Sequence, residues 1–208
     1  MELIETEEGL VFTDGENRIK ADFAKNAKRY KDANLRGELL VKAAKLKGQD
    51  NITVLDATAG LGEDSYLLAA AGFSVKMFES DHVIAALLRD GLNRALADDA
   101  LCETAKRLEL FEEDSIEAMR SGRFKPDVVY LDPMFPERKK SALVKKKFQL
   151  LHLLEAPCDN GKELLSAAYG SGAKRIVVKR PLKGAYLGEK KPDFSYEGKA
   201  IRYDVYLT

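Results

Sequence analysis

Ile52-Thr-Val-Leu-Asp56-Ala-Thr-Ala-Gly60-Leu-Gly62-Glu63-Asp64 is the stretch that decides the fold. A short apolar, β-branched run stops on a carboxylate. Small residues and two glycines follow, and then helix-forming sequence begins. This reads as a buried strand, a tight turn and a helix running from about Glu63 to Ala71. The unit repeats downstream. Ser74-Val-Lys-Met-Phe-Glu79 is a second strand and His82 to Ala97 a longer helix. Arg107 to Glu112 is a third strand, followed by a short helix from Ser115 to Met119. Asp127-Val-Val-Tyr-Leu-Asp132 is a fourth strand. Helices near Ala142 to Leu154 and Gly161 to Tyr169 precede the strand Lys174 to Lys179. Strands alternating with helices imply an α/β domain: a mostly parallel sheet with helices on both faces. The last strand, Ala200 to Leu207, follows a short turn-rich segment and is expected to run antiparallel. Residues 49–208 form this domain. Residues 1–48 read as an appendage, a hairpin turning at Thr13-Asp-Gly-Glu-Asn17 and an amphipathic helix over 34–47.

Composition narrows the class. The chain has 208 residues, 45% apolar and 33% charged, which suits one domain with a small addition. No apolar run approaches the ~18 residues of a spanning helix. Met1 to Gly9 is acidic and does not read as a secretory leader. Cys102 and Cys158 form no CxxC pair, and His82 and His152 are too few for a histidine-rich centre. A cytoplasmic protein without disulfides, a membrane segment or a metal is therefore expected.

Parallel crossovers bring the functional loops to the carboxyl ends of the strands. Four consecutive strands each deliver a carboxylate there: Asp56, Glu79, Asp114 and Asp132. Gly60 and Gly62 let the backbone approach a ligand. Glu79 stands 23 residues beyond Asp56, about where an acid holds a ribose diol. Read singly, each has a plainer meaning: a lone Gly-x-Gly is weak, Glu79 could be a solvated loop acid, and Asp114 could cap the helix at Ser115. A dinucleotide fits poorly. Ser65 replaces the third glycine of Gly-x-Gly-x-x-Gly, and Glu63 and Asp64 would oppose a pyrophosphate at the helix start. A cationic cofactor with a ribose and an adenine, S-adenosylmethionine, suits an acidic cleft.

Asp132-Pro133-Met134-Phe135 resembles the Asp/Asn-Pro-Pro-aromatic motif of amine-directed methyltransferases. A carboxylate and a backbone carbonyl can take the two hydrogens of an exocyclic amine, and an aromatic ring can stack on the base. The plainer alternative is a strand-ending Asp-Pro turn with a core Phe.

Longer stretches carry a closer resemblance. Leu55 to Asp64, Val83 to Leu92, Val128-Val-Tyr-Leu-Asp-Pro-Met-Phe-Pro136, Lys140-Ser-Ala-Leu-Val-Lys-Lys146 and Ile176-Val-Val-Lys-Arg-Pro181 are similar to the RsmJ family. Its members are bacterial enzymes that methylate the exocyclic amine of a guanine in small-subunit (16S) ribosomal RNA. The resemblance implies the Rossmann-like class I fold of S-adenosylmethionine-dependent methyltransferases. It also implies cofactor contacts at Glu63, Asp64, Glu79, Ser80, Asp114, Ser115 and Asp132. The family pattern is typically Arg-Asp, Glu-Arg and Ser-Ser at the first three pairs, so this cleft is more acidic. Better-known members begin with an N-terminal segment that is mostly lacking here.

Net charge is zero, with 34 basic and 34 acidic side chains, but its distribution is uneven. Residues 1–133 carry 18 basic and 26 acidic groups, residues 134–191 carry 14 and 5, and residues 192–208 carry 2 and 3. A further basic island spans 25–47, with 8 basic and 2 acidic groups. Arg138, Lys139, Lys140, Lys145, Lys146, Lys147, Lys179, Arg180 and Lys183 are expected to form a basic rim for RNA phosphates, the alternative being a solvated lysine-rich face. The reading is thus a methyltransferase with Asp132, Pro133 and Phe135 at the reaction centre and 16S RNA or the small subunit as partner. Rivals are the same chemistry on DNA adenine, a protein or a small molecule, a nicotinamide-dependent oxidoreductase, and a non-catalytic RNA-binding protein.

Overall fold

The computed structural model describes residues 1–133 and 160–208. Three strands, β1 (Glu2–Thr6), β2 (Gly9–Thr13) and β3 (Arg18–Ile19), make a small antiparallel sheet. Its β2–β3 turn is the predicted one: Asp14 Oδ1 accepts from the amides of Glu16 and Asn17 at 3.0 and 2.7 Å. The β1 pairing with β2, Glu2↔Thr13 to Thr6↔Gly9, has no clear sequence signal because β1 is polar and largely exposed.

The main sheet contains β4 (Thr53–Asp56), β5 (Ser74–Phe78), β6 (Leu108–Phe111), β7 (Val128–Leu131), β8 (Arg175–Pro181), β9 (Phe194–Glu197) and β10 (Ile201–Leu207). Their order is β6-β5-β4-β7-β8-β10-β9. The first five are parallel, and β10 is antiparallel to both its neighbours. The expected mixed topology is therefore present. The turn-rich segment before the last strand additionally supplies β9, at the sheet edge.

Side chains alternate between two cores with the strand period of two. Val54, Val75, Met77, Val128, Tyr130, Val177, Tyr203 and Val205 face one core. That core is completed by α1 (Asp32–Leu35), α2 (Leu39–Ala44) and α3 (Glu63–Ala70). Leu55, Phe78, Val129, Leu131, Ile176, Val178 and Tyr206 face the other. The second core also holds Ile116 and Met119 of α6 (Ser115–Arg120) and Leu164 and Leu165 of α7 (Gly161–Gly170). Between β5 and β6 lie α4 (His82–Ala97) and the single turn α5 (Cys102–Ala105).

The helix predicted over 34–47 is instead two short pieces. Gly37 closes a turn on the Asn34 carbonyl at 2.9 Å, and Glu38 is extended with ψ 125°. Glycine at the junction weakens the continuous helix that the apolar spacing suggested. The N-terminal sheet is tied to α4. Asp90 Oδ2 accepts from the Leu10 amide at 3.1 Å and from Arg94 Nε at 2.9 Å, and Arg94 also donates to the Ala21 carbonyl. Among the described residues, no helix is long and apolar enough to cross a membrane.

Candidate active site

The carboxyl ends of β4 and β7 meet where the strand order reverses, so the loops after them diverge and leave a crevice. Asp56 ends β4 and is 1% exposed. Its Oδ1 accepts from the Thr58 amide at 3.1 Å and its Oδ2 from Ser65 Oγ at 2.6 Å. Burial raises its pKa to about 7, against the opposing pull of those two bonds. Asp56 therefore braces the glycine turn from beneath.

In that turn Gly60 and Gly62 have φ of 54° and 75°. A side chain at Gly62 would be strained, and its Cβ would stand 2.6 Å from Leu88 Cδ1. The Gly60 amide donates to Glu79 Oε2 at 3.0 Å, and the Asp81 amide donates to Oε1 at 2.8 Å. These bonds fix the carboxylate at the end of β5 beside the turn. Burial raises the pKa of Glu79, only partly offset by the amides.

The centre of the crevice is a charge cluster. Parallel pairing of β7 with β8 aligns Leu131 with Val178, which brings Asp132 alongside Lys179. Lys179 Nζ donates to Asp132 Oδ2 and to Asp64 Oδ2, both at 2.8 Å. Tyr130 Oη donates to the same Asp64 oxygen at 2.7 Å, and Arg29 stands 3.9 Å from the other. Burial opposes ionisation of Asp64, but Lys179, Tyr130 and Arg29 outweigh it and lower its pKa. Asp132 goes the other way: desolvation and the neighbouring Asp64 outweigh Lys179 and raise its pKa. Its backbone is also fixed, since the Asp132 amide donates to Thr58 Oγ1 at 2.6 Å.

Two residues assigned to the basic rim are differently employed. Lys179 is held by two carboxylates on the crevice face of β8. Arg180 points to the opposite face and is 4% exposed. The strand alternation that carries Lys179 inward necessarily turns its neighbour away. Lys183 is exposed after β8. Phe135, Arg138, Lys139, Lys140, Lys145, Lys146 and Lys147 lie outside the described residues.

The remaining expected residues lie at the same strand ends. Glu63 and Asp64 open α3, Ser80 follows Glu79 on the surface, and Pro133 is buried after Asp132. Asp114 caps α6 by accepting from the Glu117 amide at 2.9 Å, which puts Ser115 in the first turn. Thr58, Tyr130 and Arg29 join the site without having been singled out in the sequence. The positions of Tyr130 and Asp132, two apart on one strand, were the available signal for the tyrosine.

The residues present fit S-adenosylmethionine. Burial leaves Asp56 and Glu79 with raised pKa values, and among the described residues no cation figures in the main influences on either. A cationic ligand would relieve this, whereas a pyrophosphate would aggravate it. Glu79 oxygens that each accept one amide can accept again from a ribose hydroxyl. Among the described residues, no group of three His, Cys, Asp or Glu side chains is arranged to hold a metal.

Known proteins agree with this architecture. A family model described as "Putative SAM-dependent methyltransferase" matches residues 1–208. The ribosomal RNA small subunit methyltransferase J of Tolumonas auensis is 46% identical over 192 residues, covering 91% of this chain and 77% of that protein. The protein of the same name from Nitrosococcus oceani is 44% identical over 191 residues, covering 90% and 75%. A crystal structure of a SAM-dependent methyltransferase from Neisseria gonorrhoeae superposes with a TM-score of 0.79 at 36% identity, over 99% of this chain and 81% of that one.

Proposed function

The chain belongs to the ribosomal RNA small subunit methyltransferase J family, and from that premise we propose that it methylates the exocyclic N2 amine of a guanine in small-subunit (16S) ribosomal RNA, using S-adenosylmethionine. The observation that carries this reading is the placement of Asp132-Pro133 at the switch point of the sheet, beside a cleft where the buried Asp56 and the half-buried Glu79 call for a cation.

When bound, S-adenosylmethionine supplies a methyl group activated by its sulfonium. The glycine turn, Asp56, Gly60, Gly62, Glu63 and Asp64, would hold its amino-acid portion. Glu79 and Ser80 would hold its ribose, and Asp114 and Ser115 its adenine. A guanine amine is a poor nucleophile because its lone pair is delocalised into the ring. Asp132 and the Pro133 carbonyl accept its two hydrogens and turn the lone pair toward the methyl group, with Phe135 stacked on the base. Positioning supplies most of the rate. The proton released leaves to water or transiently to Asp132. The target base is splayed from its neighbours to enter. Arg138, Lys139, Lys140, Lys145, Lys146, Lys147 and Lys183 track the phosphates. The same reading places the protein in the cytoplasm, where small subunits are made.

Transfer of a radiolabelled methyl group to small subunits lacking the modification tests the reading, with free 16S RNA and DNA as comparison acceptors. One labelled guanine is expected. Asp132→Ala should lower transfer by about a hundredfold or more while leaving the fold intact. Absence of label from both RNA and subunits would sink the assignment, and a near wild-type rate for Asp132→Ala would remove that residue from the chemistry.

A further inference from the structure

We propose that Lys179 is the positioning residue of the reaction: one ammonium group clamps the acceptor-side carboxylate Asp132 to the cofactor-side carboxylate Asp64. The inference rests on the reading of Asp132 as the residue that receives the amine. It gives Lys179 a task unrelated to RNA phosphates.

The geometry sets the task. Asp132 is fixed at two points, its amide by Thr58 Oγ1 at 2.6 Å and its Oδ2 by Lys179 at 2.8 Å. The clamp engages one carboxylate oxygen and leaves Oδ1 to accept the amine hydrogen. Lys179 in turn has a fixed seat. It lies opposite Tyr203 in the β8–β10 register, and its second bond goes to Asp64, itself held by Tyr130 at 2.7 Å. Strands β7, β8 and β10 and helix α3 thus converge on a single ammonium group. A flexible lysine on a surface rim would have none of these restraints.

Charge adds a second requirement. Asp132 must be ionised to accept a hydrogen bond from the amine through either oxygen. Among the described residues, the charged and titratable groups around it are Asp64 on α3, Asp56 on β4, Tyr130 on β7, Lys179 and Arg180 on β8 and Tyr203 on β10, with Arg29 before α1 standing against Asp64. Desolvation and Asp64 favour its neutral form, and Lys179 is the main opposing charge. Removing the ammonium therefore raises the pH at which Asp132 becomes competent. The same removal leaves the cleft more acidic, so a cationic cofactor should bind no more weakly.

Single-turnover methyl transfer to unmodified small subunits across pH 5.5–9 tests this for wild type, Lys179→Met, Lys179→Gln and Lys179→Arg. Either neutral variant should lose about tenfold or more in rate at pH 7. Its acid limb should move up by about one pH unit or more. Cofactor affinity, measured by calorimetry, should be equal or tighter. Lys179→Arg should recover the wild-type acid limb. A neutral variant that folds and keeps both the wild-type rate and limb would overturn the proposal, as would a rate loss accompanied by weaker cofactor binding and an unmoved limb. Lys179→Gln, one atom shorter but still a neutral donor, serves should the methionine variant fail to fold. Asp132→Ala, run in parallel, separates the two ideas. If it remains active, the reading of Asp132 fails. If it is inactive while the neutral Lys179 variants behave as wild type, only the clamp fails.

Discussion

Asp56→Asn isolates the cost of keeping a carboxyl group under the glycine turn. Asp56 is 1% exposed and its pKa is raised from 3.8 to about 7, chiefly by burial. A group whose folded pKa exceeds its unfolded value stabilises the protein fully below the unfolded pKa, and that stability is lost as pH rises through the folded pKa. The two values lie roughly three pH units apart, and at about 1.4 kcal/mol per pH unit some ~4 kcal/mol is at stake between pH 4 and 7. Asparagine has nearly the same shape and no charge. Its carbonyl can still accept from the Thr58 amide, and the Ser65 hydroxyl can turn to accept from the new amide instead of donating. Urea unfolding of both proteins, followed by circular dichroism from pH 4 to 8.5, measures the difference directly, since every other titrating group is common to both. The variant should match wild type near pH 4 and gain about 1.4 kcal/mol per pH unit on the way to pH 7. It should level off about 4 kcal/mol more stable. A gap independent of pH, or a constant loss for the variant, would mean that Asp56 is ionised in the native protein and anchors the turn as a charged acceptor.

Three other outcomes are expected. Arg202 donates to both oxygens of Asp204, which is 0% exposed, and to the carbonyls of Pro181, Leu182 and Gly184. Arg202→Met strands that buried carboxylate and should cost about 3–5 kcal/mol in chemical unfolding. Gly91→Ala improves helix propensity by about 1 kcal/mol, but the added methyl would stand 2.6 Å from Ala21 Cβ. Overpacking should outweigh the gain for a net loss of about 1–2 kcal/mol, with faster hydrogen exchange in β2 and β3 than in β7. Affinity for RNA should fall steeply between about 50 and 200 mM salt while cofactor affinity barely changes, as filter binding and calorimetry would show.

The parallel part of the sheet was legible because each strand is a short apolar run ending on a polar residue beside a turn. The helix His82 to Ala97 was legible to the residue, since Asp81 caps it through the amides of Val83 and Ile84. What escaped had weak local signals. β1 is polar on most of its length, β9 is a half-exposed edge, and the apolar spacing over 34–47 outvoted Gly37, the residue at which the helix is interrupted. The candidate site was legible as a set of strand-end carboxylates and not as a set of contacts. Asp56 and Asp132 look equivalent in the sequence. In the structure one is sealed beneath a turn and the other stands at the cleft, with a side chain 36% exposed.

The same distinction governs the basic residues. Counting charge along the chain placed Lys174, Arg175, Lys179 and Arg180 in one basic block. The sheet gives these side chains separate environments. Lys174 bonds to Gln49 and Asp127, and Arg175 bonds to the carbonyls of Ala43 and Lys45. Lys179 bridges Asp64 and Asp132, and Arg180 is buried on the other face. A strand residue has its face fixed by parity, so consecutive charges on β8 cannot all address one polyanion. Parity also held the missing clue. Asp56, Asp132 and Lys179 share a face with Val54, Val128, Tyr130 and Val177, and the adjacency of β7 and β8 then makes an ion pair between Asp132 and Lys179 the natural outcome. The excess positive charge that makes this chain look like an RNA binder is thus divided by the fold. One part, Lys179, pairs with Asp64 and Asp132 inside the cleft. Under the function proposed above, phosphate contacts fall to basic residues outside β8.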